Sequence, residues 1–496
     1  MLCLSFLNVG AQTGVDRPNV IYIYADDLGY GDLSAYGATR IHTPNLDRLA
    51  REGIRFTNAH ASSATCTPSR FALMTGVYPW RKEGTGILPG DAKLIVPTDQ
   101  ITLPKVFKNA GYHTAIIGKW HLGLGTTVSK DWNHEISPGP NEVGFDYSFI
   151  FPATADRVPT VFVENHHVLG LDSADPIEVD YAKPVGIDPT GKDHPELLKL
   201  TSSPGQGHNQ TIVNGIGRIG YMSGGHKARW VDEEVSTSFL WSALEYMKVH
   251  KDSPFFLYFS TTEPHVPRMP ATRFKGKSAL GYRGDAILQL DWTVGQILDQ
   301  VELLGLKNKT IIIFTSDNGP VLDDGYQDSA VVLGQGHKAA GPLRGGKYSI
   351  FEGGTRVPFL ISGPGIAAGQ TSGALVCQID LLASFAALLK QAIPNGEASD
   401  SQSLWLSFSG KNDRGREYLI EHARSLGVIK DTWKYIEPSK ASPYGRLTNT
   451  ELGNSKKPQL YNLSSDEGEV QNVAEAHPDI VKALADILEK ERKKRD

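Results

Sequence analysis

The sequence predicts an α/β fold: a mostly parallel central sheet flanked by helices, followed by a smaller C-terminal antiparallel sheet with one helix. Three observations carry this expectation. From Arg17 onward, short apolar runs alternate with amphipathic stretches. The runs Val20-Ile21-Tyr22-Ile23-Tyr24, Thr114-Ala115-Ile116-Ile117, Phe255-Phe256-Leu257-Tyr258-Phe259 and Thr310-Ile311-Ile312-Ile313-Phe314 show no polar alternation, the mark of strands buried on both faces. Beyond residue 396 the pattern changes to shorter segments, closed by an amphipathic helix carrying Ile480, Val481, Leu484, Ile487 and Leu488 on one face.

Each element has its local justification. Thr43 reads as an N-cap, with Pro44 at the first helical position, Leu46, Leu49 and Ala50 on one side and Gly53 at the end. Thr102 opens a similar helix that stops near Gly111, and two longer periodic segments run from about 232 to 249 and from about 285 to 304. The Gly-, Pro-, His- and Asp-rich stretch from about 137 to 230 reads as long loops elaborating one rim of the core. Glu417-Tyr418-Leu419-Ile420 and Trp433-Lys434-Tyr435-Ile436 suggest the small antiparallel sheet, and Lys490 to Arg495 a solvated basic tail at the negative pole of the last helix. The expected organisation is a terminal segment over 1–15, a main domain over 16–395 with the rim insertions at 137–230, and a small α+β subdomain over 396–496.

The chain has 496 residues, 40% of them hydrophobic and 21% charged, and a formal net charge of −5. That composition excludes collagen-like, coiled-coil and disordered classes, and the mild acidity argues against a nucleic-acid binder. No apolar run approaches the roughly 20 residues of a membrane span. The start, with its short greasy stretch and Val9-Gly10-Ala11 before Gln12, looks like a signal-peptide remnant and predicts export to the periplasm or outside the cell. Cleavage after Ala11 would leave only Cys66 and Cys377, too few for a disulfide framework.

The chemistry clusters after the four strands. They are followed by Asp26-Asp27, by Gly118-Lys119-Trp120-His121, by Glu263-Pro264-His265 and by Asp317-Asn318-Gly319. Ligands of open α/β sheets bind outside the carboxyl ends of the strands, so these residues should converge on one crevice. Asp26, Asp27, Asp317 and Asn318 offer hard oxygen ligands suited to Ca²⁺ or Mg²⁺, although Asn-Gly alone is also an ordinary turn. In Cys66-Thr67-Pro68-Ser69-Arg70, Pro68 places Cys66 at a helix N-terminus, a ready anion site, and Arg70 adds a bidentate cation one turn in. Cys66 itself is either a thiol of depressed pKa or a small buried residue.

These residues also carry a resemblance. Cys66-Thr67-Pro68-Ser69-Arg70 matches the maturation signature Cys-x-Pro-x-Arg of the type I, formylglycine-dependent sulfatases, and Gly118-Lys119-Trp120-His121-Leu122-Gly123 matches the family's second signature. The similarity continues through His265, Asp317-Asn318-Gly319, Leu343-Arg344-Gly345-Gly346-Lys347 and Phe351-Glu352-Gly353-Gly354 to Gln459-Leu460-Tyr461-Asn462-Leu463. It implies an alkaline-phosphatase-like fold, hydrolysis of sulfate esters, and conversion of Cys66 to Cα-formylglycine by a maturation enzyme. It implies that one Ca²⁺ is held by Asp26, Asp27, Asp317, Asn318 and an oxygen of modified Cys66. Arg70 and Lys119 would hold the formylglycine hydrate and the sulfate oxygens, with His121 beside them and Asp317 the candidate to orient or deprotonate the hydrate. His265 and Lys347 would sit at the leaving oxygen. Lys338 competes with Lys347 for that role, and the motif favours Lys347.

The similarity looks nearest to the N-acetylgalactosamine-6-sulfatase and arylsulfatase branch, partly through Tyr282-Arg283-Gly284-Asp285-Ala286. The expected substrate is therefore a sulfated mono- or oligosaccharide, with 6-O-sulfated N-acetylgalactosamine of chondroitin sulfate as the leading choice. Trp132, His166, His167 and Trp230, together with His226-Lys227 and His337-Lys338, are candidate sugar contacts. A phosphonate or phosphate ester hydrolase of the same superfamily is the alternative enzyme. A non-catalytic sulfated-glycan binder is the alternative without chemistry.

Overall fold

A chain whose apolar runs are buried on both faces has to stack them side by side, and the computed structural model, which describes residues 17–494, has them so. The central sheet contains β1 (Asn19–Ala25), β2 (Gly53–Phe56), β3 (His113–Lys119), β4 (Tyr147–Phe151), β5 (Val163–Glu164), β6 (His167–Val168), β7 (Phe255–Ser260), β8 (Thr310–Ser316), β9 (Phe359–Ser362) and β10 (Gln370–Ser372). Their order is β10-β2-β9-β8-β1-β7-β3-β4-β5-β6. The run β8-β1-β7-β3-β4 is parallel throughout, and β9, β5 and β6 add antiparallel pairings at its flanks. All four strands read from the sequence lie in that parallel run, and β1 and β8 are buried at every residue.

Helices cover both faces. On one side α1 (Pro44–Glu52), α4 (Val235–Val249) and α5 (Gly281–Leu303) pack over Ile21, Ile23, Leu257 and Phe314. On the other, α2 (Cys66–Thr75), α3 (Leu103–Asn109) and α6 (Leu381–Leu388) cover Tyr22, Phe256 and Ile313. The antiparallel sheet of β11 (Tyr418–Ala423), β12 (Ser425–Lys430), β13 (Trp433–Ile436) and β14 (Gln459–Asn462) follows, with α7 (Pro478–Lys493) against it. That sheet shares an apolar cluster with Ala72 of α2 and Tyr78, so the C-terminal segment braces the helix that starts at Cys66.

Three expectations need correction. Thr43 does not cap α1 with its side chain, because its hydroxyl is engaged by Ser34. Asp291 of α5 takes the role from across the fold, accepting from the backbone N–H of Asn45 at 3.1 Å and of Leu46 at 2.9 Å. The 137–230 stretch is more than rim loops: Tyr147-Ser148-Phe149-Ile150-Phe151 forms β4, whose apolar run was overlooked among its polar neighbours. Trp132 and Trp230 are core residues, 1% and 4% exposed, so neither reaches a sugar.

The signal-like start at 1–15 lies outside the described residues. Among the described residues, no helix is long and apolar enough to cross a membrane.

Candidate active site

The ends of the parallel strands bring the acids, lysine and arginine together. Asp26 and Asp27 follow β1, Lys119 is the last residue of β3, His265 lies five residues beyond β7, and Asp317 and Asn318 follow β8. Gly118 permits the close approach of β3 to β7: its φ is +115°, and a Cβ there would sit 1.8 Å from the Ser260 carbonyl oxygen. Helix α2 begins at Cys66 with Thr65 in an extended conformation before it, and every residue of the helix is buried. Thr67 ties that helix start to the end of β3 by donating to the His121 carbonyl at 3.1 Å.

Three cations interleave with the acids. Arg70 donates from Nε and Nη2 to Asp317 Oδ2 at 3.0 and 2.7 Å and from Nη1 to Ser260 Oγ at 2.5 Å, with Tyr24 stacked on its guanidinium at 4.9 Å. Lys119 Nζ lies 2.6 Å from Asp26 Oδ2, and Lys347 Nζ lies 2.8 Å from Asp27 Oδ2 and 2.7 Å from Asp324 Oδ2. Asn318 Nδ2 donates to Asp27 Oδ1 at 2.7 Å, and Asp317 Oδ1 accepts the Asp27 backbone N–H at 3.3 Å. Nearly all of this is out of reach of bulk water, where such charges interact far more strongly than on a surface.

The residues present fit a hard divalent cation. Asp26 Oδ1 and Asn318 Oδ1 are buried acceptors with no hydrogen-bond partner among the described residues, and buried oxygens of that kind ordinarily have one. Burial pushes the Asp26 carboxyl well above its usual range, with the neighbouring carboxylates adding to the shift against the pull of Lys119. Asp26, Asp27 and His265 each bring a ligand atom within 4.8 Å of the others. An oxygen-rich cluster short of positive charge is what Ca²⁺ or Mg²⁺ relieves.

The two histidines are held neutral. His265 Nδ1 is 2.6 Å from the Val266 carbonyl, which can only accept, so Nδ1 carries the proton and Nε2 presents a lone pair 3.7 Å from Asp27. Burial, then Lys347 and Lys119, push its pKa well below the usual value. His121 Nε2 meets the Leu88 carbonyl at 2.9 Å, leaving Nδ1 buried and unpartnered among the described residues, and burial with Lys119 and Arg157 holds it neutral too. Lys347 stays charged, because Asp27 and Asp324 outweigh the cost of its burial.

Cys66 is 1% exposed, and burial pushes its thiol up in spite of Lys119 and Lys347. The reading of Cys66 as a thiol of depressed pKa is therefore overturned. The helix N-terminus and two ammonium groups do not compensate for the loss of water. Cys66 and Cys377 are both free thiols.

Cys66, His265 and Lys347 open onto a cavity of about 400 Å³ that also reaches Asp156, Arg157 and Tyr348. Asp156 was missed in the sequence because it lies five residues beyond the overlooked strand β4, and the strand-end rule applied there would have found it. Burial opposes its ionisation, but Arg157, Nη1 at 2.9 Å, and His208 Nε2, also at 2.9 Å, hold its carboxyl well below the usual range. Tyr348 donates to Asp324 at 3.0 Å. The cavity wall contributed by Arg424 and residues 442–448 had no signal in the sequence, since nothing local says that a C-terminal hairpin returns to a strand end 300 residues away.

Other candidates fall elsewhere. Lys338 is exposed, so of these two competing lysines Lys347 is the one at the site. His337 is locked onto Asp32 Oδ1 at 2.8 Å beside Arg283, so it serves the packing of α5. His226 and Lys227 pair with Asp175 and Asp172 on the surface, and His166 pairs with Glu142. None of these lines the cavity.

Comparison with known proteins agrees with this geometry. The Sulfatase family matches residues 18–391. An N-acetylgalactosamine-6-O-sulfatase of Bacteroides thetaiotaomicron is 53% identical over 475 residues, covering 95% of this chain and 93% of the relative. Human arylsulfatase A is 31% identical, with 97% of this chain and 89% of the relative covered. A solved structure from work on glycosaminoglycan metabolism by B. thetaiotaomicron superposes with a TM-score of 0.95 at 52% identity, covering 96% of this chain and 100% of that one. The phosphonate monoester hydrolase of Agrobacterium radiobacter shares the fold alone, at a TM-score of 0.58 and 17% identity. The chain belongs to the sulfatase family and is a sulfuric ester hydrolase of alkaline-phosphatase-like fold.

Proposed function

We propose that this protein removes the 6-O-sulfate of N-acetylgalactosamine in glycosaminoglycans such as chondroitin sulfate. The observation that carries the substrate choice is the 53% identity, along 95% of the chain, to a relative named for that activity. A cavity of about 400 Å³ at the strand ends suits one sulfated sugar and part of its neighbour, at the small end of the roughly 300–1,000 Å³ of ligand pockets.

In this reading Cys66, once converted to Cα-formylglycine, would supply the nucleophile: one hydroxyl of its hydrate would displace the sugar alcohol from sulfur, and re-forming the carbonyl through the other would release the sulfate. Because Cys66 is buried once folded, the maturation enzyme meets it before folding. Asp26, Asp27, Asp317, Asn318 and an oxygen of modified Cys66 would hold one Ca²⁺, which would supply Lewis-acid neutralisation of the sulfate oxygens.

The chain's own groups do the rest. Arg70 and Lys119, fixed beforehand by Asp317 and Asp26, place positive charge against the negative charge of the sulfate oxygens. His121 offers its free Nδ1 as an acceptor for the hydrate. Lys347 carries a proton in the free site and His265 Nε2 does not, so Lys347 is the donor to the departing alcohol and His265 orients that oxygen. The domain reading, with residues 16–395 as the catalytic unit and 396–496 as a bracing subdomain, and export of the mature chain belong to the same proposal.

The test is sulfate release from N-acetylgalactosamine-6-sulfate by protein whose Cys66 peptide has the formylglycine mass. Release that disappears in Cys66→Ala is expected. Faster turnover of a phosphonate or phosphate ester would select the alternative hydrolase, and glycan binding without any release would select the non-catalytic binder.

A further inference from the structure

The cavity has two kinds of charged group. Its carboxylates are already matched: Asp156 by Arg157 and His208, and Asp324 by Lys347 and the Tyr348 hydroxyl. Its outer wall, contributed by the C-terminal segment, carries two further cations, Arg424 and Arg446, both exposed. Neither guanidinium has a hydrogen-bond or ion-pair partner among the described residues. By contrast, Arg70, Arg157, Arg268 and Arg283 each hold a carboxylate at 2.6–2.9 Å. The mouth therefore carries positive charge without a partner, while the two carboxylates lining the cavity, Asp156 and Asp324, already have theirs.

The backbone adds a separate observation. Arg424 sits at the tip of the β11–β12 hairpin, between Ala423 and Ser425, with φ +59°. This left-handed conformation favours glycine and is costly for a long side chain. A hairpin that needed only to turn would carry Gly or Asn there. Arg446 lies on a second turn that is docked across the cavity, where Gln206 Nε2 donates to the Leu447 carbonyl at 3.0 Å and to Asp323 Oδ1 at 3.1 Å. That clamp joins the rim loop near residue 206 to the C-terminal hairpin and holds Arg446 at the mouth.

We propose that Arg424 and Arg446 form a subsite for an anion on the sugar next to the sulfated one, so that the preferred substrate is an acidic oligosaccharide. The inference rests on the sulfated-sugar reading of the inner site. The shared chemistry is a planar or tetrahedral oxyanion gripped by guanidinium groups. Its source is a uronate carboxylate or a second sulfate ester.

The experiment compares kcat/KM for N-acetylgalactosamine-6-sulfate with that for three disaccharides in which this sugar is linked through its anomeric carbon. The neighbours are glucuronate, the same residue with its carboxyl reduced to an alcohol, and a sulfated neutral hexose. An anionic neighbour is expected to raise kcat/KM roughly tenfold over the monosaccharide and the reduced disaccharide. The ratio should fall to near one in R424A/R446A and survive in part in R424K/R446K. Whichever anionic arm gains more names the source.

A ratio near one in the unaltered protein, or a ratio unchanged in R424A/R446A, overturns the subsite while leaving monosaccharide release intact. Absence of release from all four substrates overturns the inner-site reading instead. Equilibrium binding of the same sugars to Cys66→Ala protein then reads the anion preference without turnover, and equal affinities for the charged and reduced disaccharides would sink it.

Discussion

Two buried charge clusters in this protein look alike in composition and differ in what they can do. One is the strand-end site of Asp26, Asp27, Asp317 and Asn318 with Arg70, Lys119 and Lys347. The other joins His60, Glu352, Glu421 and Glu469 around Lys434, all fully buried. Both bring acids and a histidine within ligand distance of one another. In the second, Lys434 Nζ stands 2.8 Å from both Glu352 Oε1 and Glu421 Oε2, and His60 Nδ1 is 3.0 Å from Glu421 Oε1. Lys434 is already in place at its centre, and none of its residues lines the cavity at Cys66. Both have buried carboxylate or amide oxygens without a hydrogen-bond partner among the described residues, but only the first lies next to the N-terminus of α2 and has neighbours, Cys66, His265 and Lys347, that line the cavity of about 400 Å³. Acid and histidine content does not make a reactive site; access to a cavity does.

Changes in the two clusters should separate chemistry from stability. Cys66→Ala is expected to lower sulfate release on the order of 10³-fold or more, as nucleophile removal does, with the melting temperature little altered. A stable variant that kept its activity would break the contrast at its strongest point. Lys434→Met should cost about 3–5 kcal/mol in urea unfolding, because it strands buried carboxylates without their cation, and added Ca²⁺ should not restore it. Rescue by Ca²⁺ would mean that the second cluster is a metal site after all.

Metal linkage gives a smaller effect. Ca²⁺ at a hundredfold excess over its Kd should stabilise the protein by about 2.7 kcal/mol, read as a rise in Tm that a chelator reverses. Asn318→Ala, which removes one unpartnered oxygen, should shrink that rise, whereas Glu421→Gln should leave it in place. An equal rise in all three proteins would move the ion elsewhere.

A pH dependence sharpens the comparison further. Burial, with Glu352 and Glu421 opposing Lys434, pushes the Glu469 carboxyl up to about 8. Between its unfolded value near 4.5 and about 8, the folded protein holds a proton that the unfolded chain has released, so this group's contribution favours folding less as pH rises. Glu421, lowered to about 2 by Lys434 and His60 against burial, acts oppositely and loses its contribution only under strong acid. Glu469→Gln should therefore gain stability relative to the unaltered protein between pH 5 and pH 8. A difference in Tm that stays flat across that range would show that Glu469 is ionised throughout.

Local patterns in the sequence determined a good part of this protein. Continuous apolar runs can only be strands buried on both faces, so β1, β3, β7 and β8 were legible, and with them the polar residues just past their ends. The Pro-bearing start of α2 likewise put Cys66 and Arg70 at a helix N-terminus, because a missing N–H is tolerated only there. What was lost with β4 was lost for a local reason too: its short apolar run hid among turns, and Asp156 and Arg157 went unnoticed with it. The tertiary structure alone decided the rest. It capped α1 with Asp291 from another helix, made Trp132 and Trp230 core, chose Lys347 over Lys338, and raised the Cys66 thiol by burial. It also closed one charge cluster around Lys434, opened the other to a cavity, and brought Arg424 and Arg446 to the mouth. Charge pairing and desolvation depend on neighbours hundreds of residues apart, and sequence periodicity carries no record of them.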